Sequence, residues 1–450
     1  MSKILSIDVG TTVFKAGIFS SELELICDTS RDYDVNLYDQ GKADIEPEKW
    51  WQALKSSCEE LRPHLSDVDV LSLSVTTPGL VPIAQDGSAL GPAILFFDQR
   101  SQEQAGLIRE RIGEEFFIKE ACNLPVSGGS SLCSIMWILE NQPGIWEQTH
   151  KFGHTNTYMV RRFTGQWVID PSTTSLTGLY HTRLHQLTWL QEVLEKAEIS
   201  PEKLPTLMHS HHKAGIILPE IADELSLPKD AIVLCGGNDA VLAGFSAGLK
   251  EPGEAIDIVG TCEIIAACLD HPVGSRNYNI RCHVLPERWV TFFVLNTGGK
   301  ALEWFHSVFC RDMSADEFYE TFVPQTIERF LEKSEYDENS IPKYSPFLQG
   351  SRYSLDNLTA SFSNLNLETN REKMLLGLLR GNLQYIGGHL KEISEFMKLK
   401  NRITTTGGGA RIRGMNSLKK LWMGDFEYEY QNESSLLGAA MLGKMYLDGL

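Results

Sequence analysis

The chain has 450 residues, 42% of them hydrophobic and 22% charged, and a formal net charge of −18. That length exceeds what one core organises, so two domains are expected. The acidic balance, with no basic cluster long enough to track a phosphate backbone, argues against nucleic-acid binding, and no apolar run approaches the ~20 residues of a membrane span.

Met1-Ser2-Lys3 leads straight into a strand pattern, which leaves no room for a signal peptide. Nine cysteines, odd in number and without a Cys-x-x-Cys pair, point to buried free thiols in a reducing cytoplasm, with Cys262 considered for a reactive thiol.

The first element is the apolar run Ile4-Leu5-Ser6-Ile7, which enters Asp8-Val9-Gly10-Thr11-Thr12 and re-emerges through Phe14-Lys15-Ala16-Gly17-Ile18-Phe19. Such a hairpin suits a phosphate. Gly10 permits a tight turn and close backbone approach, and the Thr11 and Thr12 hydroxyls join backbone N–H groups around an oxyanion. Lys15 supplies a mobile positive charge, and Asp8, ending a buried strand, is placed to hold magnesium through water. A third strand is expected over 23–27. A helix follows from Pro47, with Trp50, Trp51, Leu54, Cys58 and Leu61 at helical spacing, and then a strand over 68–75. Meander, helix, strand, helix predicts an α/β layer fold.

Farther on, a strand over 231–234 leads through Cys235-Gly236-Gly237-Asn238-Asp239 into a small-residue helix ending near Gly248. Lys250-Glu251-Pro252-Gly253 breaks it, so the domains are expected over 1–249 and 250–450. A second hairpin follows, with Ala255-Ile256-Asp257-Ile258-Val259-Gly260-Thr261 turning into Ile264-Ile265-Ala266-Ala267-Cys268-Leu269. Its composition repeats the first and suggests two related halves. Gly298-Gly299 opens an amphipathic segment, surface helices are expected over 312–342, and a long helix near 374–399 precedes Gly407-Gly408-Gly409. His209, His211 and His212 lie within four positions without a Cys or carboxylate ligand nearby, which favours a solvated loop over a metal site.

Seven motifs in chain order resemble the FGGY family of carbohydrate kinases, in the actin/hexokinase-like ATPase superfamily. They are Asp8 through Ala16; Pro92-Ala93-Ile94-Leu95-Phe96-Phe97-Asp98-Gln99-Arg100; Phe163-Thr164-Gly165 with Asp170-Pro171-Ser172; the Gly-x-Asp motif at 237–239 with its small-residue helix; Gly260-Thr261; Gly407 to Ala410; and Glu433 with Leu437-Gly438-Ala439-Ala440. The resemblance implies an α/β fold of two actin-like (ribonuclease H-like) ATPase domains, with a nucleotide and sugar cleft between them. It implies phosphoryl transfer from Mg²⁺-ATP to a hydroxyl of a small sugar, such as a pentulose, or of a polyol.

In that reading Asp239 is the general base at a strand-to-helix junction, a position that equally suits a helix N-cap, with Asn238 beside it as an alternative cap. Thr11, Thr12, Lys15, Gly260 and Thr261 resemble the phosphate-contacting positions, and Asp8 the magnesium-linked aspartate. Gly299, Glu303, Gly408, Gly409 and Ala410 resemble those that cradle the nucleoside. Thr76, Thr77 and Pro78 occupy the sugar loop, where xylulose kinases resemble one another in a Met-His pair and glycerol kinases in an Arg-Glu pair. Asp98 is expected as a hydroxyl acceptor, the other reading being a surface turn with Arg100. The partners expected are a small sugar or polyol and, in a homodimer, a second copy. Two further readings stand beside this one: an unusual acceptor, such as an autoinducer-2-type molecule, and a non-catalytic regulator on the same scaffold.

Overall fold

The computed structural model describes residues 2–332, 338–351 and 358–450, and the chain divides into two compact units. The first comprises Met1–Ser246, Asp270–Val290 and Ser434–Leu450; the second comprises Ala247–Leu269 and Thr291–Glu433. The first break thus falls close to the breaker at Lys250, while two later segments return to the first unit. Among the described residues no helix is long and apolar enough to cross a membrane.

In the first unit the opening hairpin forms as its pattern dictates. Strands Lys3–Val9 and Val13–Ser20 pair antiparallel with Asp8 opposite Lys15, and Leu25–Asp32 adds a third, two residues later than expected. On the other side Val68–Val75 lies parallel to Lys3–Val9, followed by Ile232–Leu234 and Lys213–Ile216. The strands nearest the centre are apolar on both faces because helices cover them. Helix Glu48–Leu61 buries Trp50, Trp51, Leu54, Cys58 and Leu61, and helix Thr155–Thr164 buries Tyr158, Met159 and Phe163. A five-stranded antiparallel sheet, from Asn36–Leu37 to Lys151–Gly153, includes Gly79–Ile83 and Ala93–Leu95.

The small-residue helix Asp239–Ser246 packs on the helix Ser435–Leu447. The approach is close: a Cβ on Gly438 would lie 2.2 Å from the Leu242 carbonyl oxygen, and one on Gly443 2.6 Å from Ile4 Cγ2. The same helix is tied to the first strand by the Ser6 hydroxyl, which donates to the Leu436 carbonyl at 2.5 Å.

The second unit repeats the central motif. Strands Ala255–Val259 and Glu263–Leu269 form an antiparallel hairpin, Arg402–Thr406 pairs parallel with the first of them, and Glu427–Tyr430 continues parallel at the edge. Trp289–Leu295, which enters the unit at Thr291, flanks Glu263–Leu269. The long helix runs Arg371–Ser394, somewhat earlier than its expected position, because Asn370 caps it by accepting from the Lys373 N–H at 2.9 Å. The expected surface helices over 312–342 are amphipathic rather than wholly solvated, with Phe318, Val323, Ile327 and Phe330 buried; residues 333–337 lie outside the described residues.

The nine cysteines are free, seven of them buried and Cys27 and Cys262 half-buried. The histidine group is not a solvated loop throughout. His211 is buried, its ring 4.6 Å from that of His212 and 6.2 Å from that of His209, which also meets His185. Among the described residues no group of His, Cys, Asp and Glu is arranged to hold a metal.

Burial holds His185 and His211 down to about 4, and His154 and His389 down to about 3. Each stays neutral in the fold but takes up a proton near pH 6.5 once unfolded. Stability contributed by these groups is therefore present above about pH 6.5 and is lost as pH falls toward about 4. A thermal midpoint followed from pH 7.5 to 4.5 is expected to fall steeply below about pH 6; a midpoint flat over that range would contradict the assigned burial.

Candidate active site

The first candidate element is the turn of the opening hairpin. The Gly10 N–H donates to the Val13 carbonyl at 3.1 Å, and a Cβ on Gly10 would lie 2.6 Å from that oxygen, so no side chain fits. The Tyr33 hydroxyl donates to the Gly10 carbonyl at 2.5 Å, which fixes the turn from outside. Thr12 is exposed and Thr11 half-buried, with Thr11 Oγ1 3.0 Å from Thr76 Oγ1. The turn is thereby joined to the predicted sugar loop.

Asp8 is buried at the end of its strand. One carboxylate oxygen accepts from Ser74 Oγ and the other from Ser435 Oγ, each at 2.7 Å, while Lys15 Nζ lies 3.9 Å away with its side chain half exposed. This donor set fits a magnesium ion of one kind: an ion that keeps several waters and takes a single carboxylate together with phosphate oxygens.

The second element is the Asn238-Asp239 junction. Gly236 adopts φ +76°, and a Cβ there would lie 2.6 Å from the Leu73 carbonyl oxygen, so the strand exit depends on glycine. The Asn238 N–H donates to Ser172 Oγ at 2.9 Å. Ser172 in turn donates to Asp170, which also accepts from Ser210 Oγ at 2.9 Å and from Asn156 Nδ2 at 3.2 Å. A wholly buried polar network thus anchors the backbone immediately before Asp239.

The cap of the following helix is Asn238, whose Oδ1 accepts from the Val241 N–H at 3.0 Å. Asp239 accepts from the adjacent Ala240 N–H at 2.7 Å and, more weakly, from Asn238 Nδ2 at 3.3 Å. Burial, and secondarily the Asp8 charge, push the Asp239 carboxyl up to about 7, while Arg281 opposes the rise. A carboxyl in that range takes and releases protons at neutral pH. Arg281 reaches the junction through Nη1, which donates to Asn238 Oδ1 at 2.7 Å.

On the sugar side Thr76 and Thr77 are buried, the Thr76 N–H donates to the Val9 carbonyl at 2.9 Å, and the Thr77-Pro78 bond is cis. Thr11, Thr76 and Asp8 are accordingly brought together around the ends of two parallel strands. Asp98 is not with them as an open acceptor. It is wholly buried, with one oxygen accepting from the Ala43 N–H at 2.5 Å and both engaging Arg100, whose guanidinium also pairs with Asp44 at 2.8 Å. Asp98 is therefore neither a surface-turn residue nor exposed to a ligand; it is the centre of an internal ion cluster. Phe96 and Phe97 pack edge to face at 4.9 Å beside it, with Phe96 exposed.

Within the second unit, the loop of the repeated hairpin meets two glycine-bearing segments. The Gly260 carbonyl accepts from the Gly299 N–H at 2.8 Å and the Thr261 carbonyl from the Lys300 N–H at 3.1 Å, so the first amides of helix Gly299–Phe309 hold the loop. Val259 excludes any side chain at Gly407 and Gly409, where a Cβ would lie 2.5 Å from its carbonyl oxygen and 2.4 Å from its Cγ1. A Cβ on Gly408, in contrast, would meet nothing within 4 Å, which leaves open space beside Ala410. Glu303 is exposed on its helix.

Beneath the loop, Lys419 Nζ lies 2.5 Å from Asp257 Oδ2 with both side chains fully buried, and Glu263 is buried with them. Burial and the adjoining Asp257 raise the Glu263 carboxyl. A cavity of about 20 Å³, lined in part by Glu263, Asn382 and Lys419, adjoins the cluster and has room for about one water.

Sequence reasoning missed Ser74, Ser172, Arg281, Ser435 and Lys419. Only Ser172 carried a signal, the Asp-x-Ser pattern with Asp170.

A sequence model described as the N-terminal domain of the FGGY family of carbohydrate kinases matches residues 3–246. The gluconokinase of Bacillus subtilis (strain 168) is 27% identical over all of this chain and 88% of its own length. The xylulose kinase of Staphylococcus xylosus is 24% identical over 91% of this chain and 84% of its own length. Among solved structures, the xylulose kinase from Rhodospirillum rubrum superposes with a TM-score of 0.91 at 18% identity, over 99% of this chain and 90% of that one. The gluconate kinase from Lactobacillus acidophilus gives 0.88 at 19% identity, over 100% and 90%.

Proposed function

We propose, for a chain that belongs to the FGGY family of carbohydrate kinases, that Asp239 is the general base in transfer of the γ-phosphoryl group of ATP to a hydroxyl of a small polyhydroxy acceptor. The observation that carries this reading is the division of labour at the junction. Asn238 caps the helix, so the neighbouring carboxylate is not needed as its cap, and that carboxylate has its proton affinity raised to about 7.

In this reading Asp239 takes the hydroxyl proton as the acceptor oxygen bonds to the γ-phosphorus. The bond from phosphorus to the bridging oxygen breaks, and ADP leaves. In the first unit Thr11, Thr12 and Lys15 serve phosphate oxygens, and Thr76, Thr77 and Pro78 border the acceptor. In the second unit Gly260 and Thr261 serve phosphates, and Gly299, Glu303, Gly408, Gly409 and Ala410 serve the nucleoside. Asp8 would hold Mg²⁺ through water, and the ion would neutralise charge on the phosphates. Relatives named as xylulose kinases and gluconokinases make a pentulose and a sugar acid the first acceptors to try.

The test is ADP release from Mg-ATP with a panel of ketoses, aldoses, aldonates and polyols. Acceptor-dependent release is expected, and a panel that never exceeds background would end the kinase reading.

The pH profile follows from the same carboxyl. Only the deprotonated form accepts a proton, and the pKa is raised, so kcat/KM is expected to climb with pH through about 7 and level off above about 8. A profile flat from about pH 5.5 to 8 would remove Asp239 from the role.

A further inference from the structure

The opening turn spends its acceptors on the protein. The Val9 carbonyl accepts from the Thr76 N–H at 2.9 Å, and the Val13 carbonyl from the Gly10 N–H at 3.1 Å. Tyr33 supplies the donors for two more carbonyls. Its hydroxyl donates to that of Gly10 at 2.5 Å, and its N–H to that of Thr12 at 2.9 Å. Tyr33 directly follows the strand Leu25–Asp32, which pairs with the second arm of the hairpin and sets Asp32 opposite Val13. Its half-buried side chain packs against the core of the first unit. The Thr11 and Thr12 N–H groups, in contrast, donate to no protein acceptor among the described residues.

These bonds decide which way the peptide planes of the turn face. In a trans peptide the carbonyl and the following N–H point in opposite directions. A hydroxyl that holds the Gly10 carbonyl on its own side therefore turns the Thr11 N–H to the other. Glycine makes that plane easy to flip, since no side chain restricts its dihedrals. After such a flip a carbonyl oxygen would stand where an N–H had stood. Successive N–H groups in a turn favour an oxyanion, and a carbonyl oxygen repels one. A phenol is protonated at neutral pH, so Tyr33 meets the Gly10 carbonyl as a donor.

Resting on the kinase reading above, we propose that Tyr33 is a positioning residue for phosphoryl transfer. It acts through Gly10 and Thr12, keeping N–H groups rather than carbonyls turned toward the phosphates of ATP.

The experiment measures affinity for Mg-ATP, Mg-ADP and adenosine by isothermal titration of wild type and Tyr33→Phe, together with KM for ATP and for the acceptor. Tyr33→Phe keeps the ring and the backbone bond to Thr12 and removes only the hydroxyl. ATP affinity is expected to fall by about 5–10-fold, the loss of one hydrogen bond. Adenosine affinity and KM for the acceptor should move less than about twofold. p-Aminophenylalanine at position 33 returns an N–H donor to the ring and should recover most of the ATP affinity. Should Tyr33→Phe fail to fold, p-aminophenylalanine and p-methylphenylalanine at that position repeat the comparison with and without a donor. Equal losses for ATP and adenosine would assign Tyr33 to the fold alone and overturn the proposal. So would an ATP affinity that does not change. A wild type that shows the graded nucleotide affinities but turns over no acceptor sinks the kinase reading, while a phosphate-dependent loss in Tyr33→Phe still supports Tyr33 at the turn.

Discussion

Asp239→Asn is expected to lower kcat by about 10²–10⁴-fold, the range over which a positioned general base acts, while the protein stays folded. The amide oxygen of Asn can still accept from the Ala240 N–H, so the helix start keeps its contact. The cap itself belongs to Asn238 and is untouched. The wild-type carboxyl is raised, meaning that its ionisation costs the fold stability as pH climbs from the ordinary Asp value through about 7. The variant is therefore expected to unfold at no lower temperature than wild type at about pH 8. It should also lose the limb near pH 7 from whatever rate remains. A variant with an intact acceptor-stimulated rate would show that the proton goes elsewhere. A variant that is inactive only because it unfolds would show that Asp239 carries structure.

The largest stability effect is expected at Lys419→Met. The substitution keeps most of the volume but strands the Asp257 carboxylate with Glu263 in a site where Asp257 and Lys419 have no exposure. Removing one partner of such a pair costs about 3–5 kcal/mol, because the remaining charge cannot be solvated. With two units in the chain a single unfolding free energy is not well defined, so the measurement should be local. Hydrogen exchange is expected to accelerate in the strands Ala255–Val259 and Arg402–Thr406, which adjoin the pair, while strands Lys3–Val9 and Val68–Val75 keep their protection. The double variant Asp257→Asn with Lys419→Met should recover much of the loss, since neutralising both partners avoids the stranded charge. Unchanged exchange in Lys419→Met would mean that the pair contributes nothing.

Much of this architecture was legible because it is written locally. Hairpins of the kind around Gly10 and Gly260 are set by a buried apolar run, a turn glycine and a second apolar run, all within twenty positions, although only Gly10 admits no side chain. The Asn238-Asp239 junction was legible for the same reason, even to the point of naming Asn238 as an alternative cap. Asp98 was expected as a hydroxyl acceptor; the local bond to the Arg100 N–H that its spacing suits is present at 2.8 Å, but nothing near it in sequence reveals Asp44, 54 positions earlier, as the third member of the cluster. Arg281 and Lys419 were invisible on similar grounds. Each owes its position to partners far along the chain: Asn238 lies 43 residues from Arg281, and Lys419, on the helix Met415–Trp422, is paired with Asp257 on the strand Ala255–Val259. The histidines show the converse, a dense local pattern whose burial was set by what packs over it.

The Ser435–Leu447 helix has a consequence for how this protein is made. Its Ser435 completes the hydrogen bonding of Asp8, 427 positions upstream, and its glycines seat against Ile4 and Leu242. At roughly 5–20 residues per second on a ribosome, a nascent chain carries its first strand for about 20–90 s before the covering helix emerges. Through that interval Ile4, Phe19 and the backbone around Leu242 are left to water or to a chaperone, and a message truncated shortly before residue 435 would release a product with an open seam along its oldest strand.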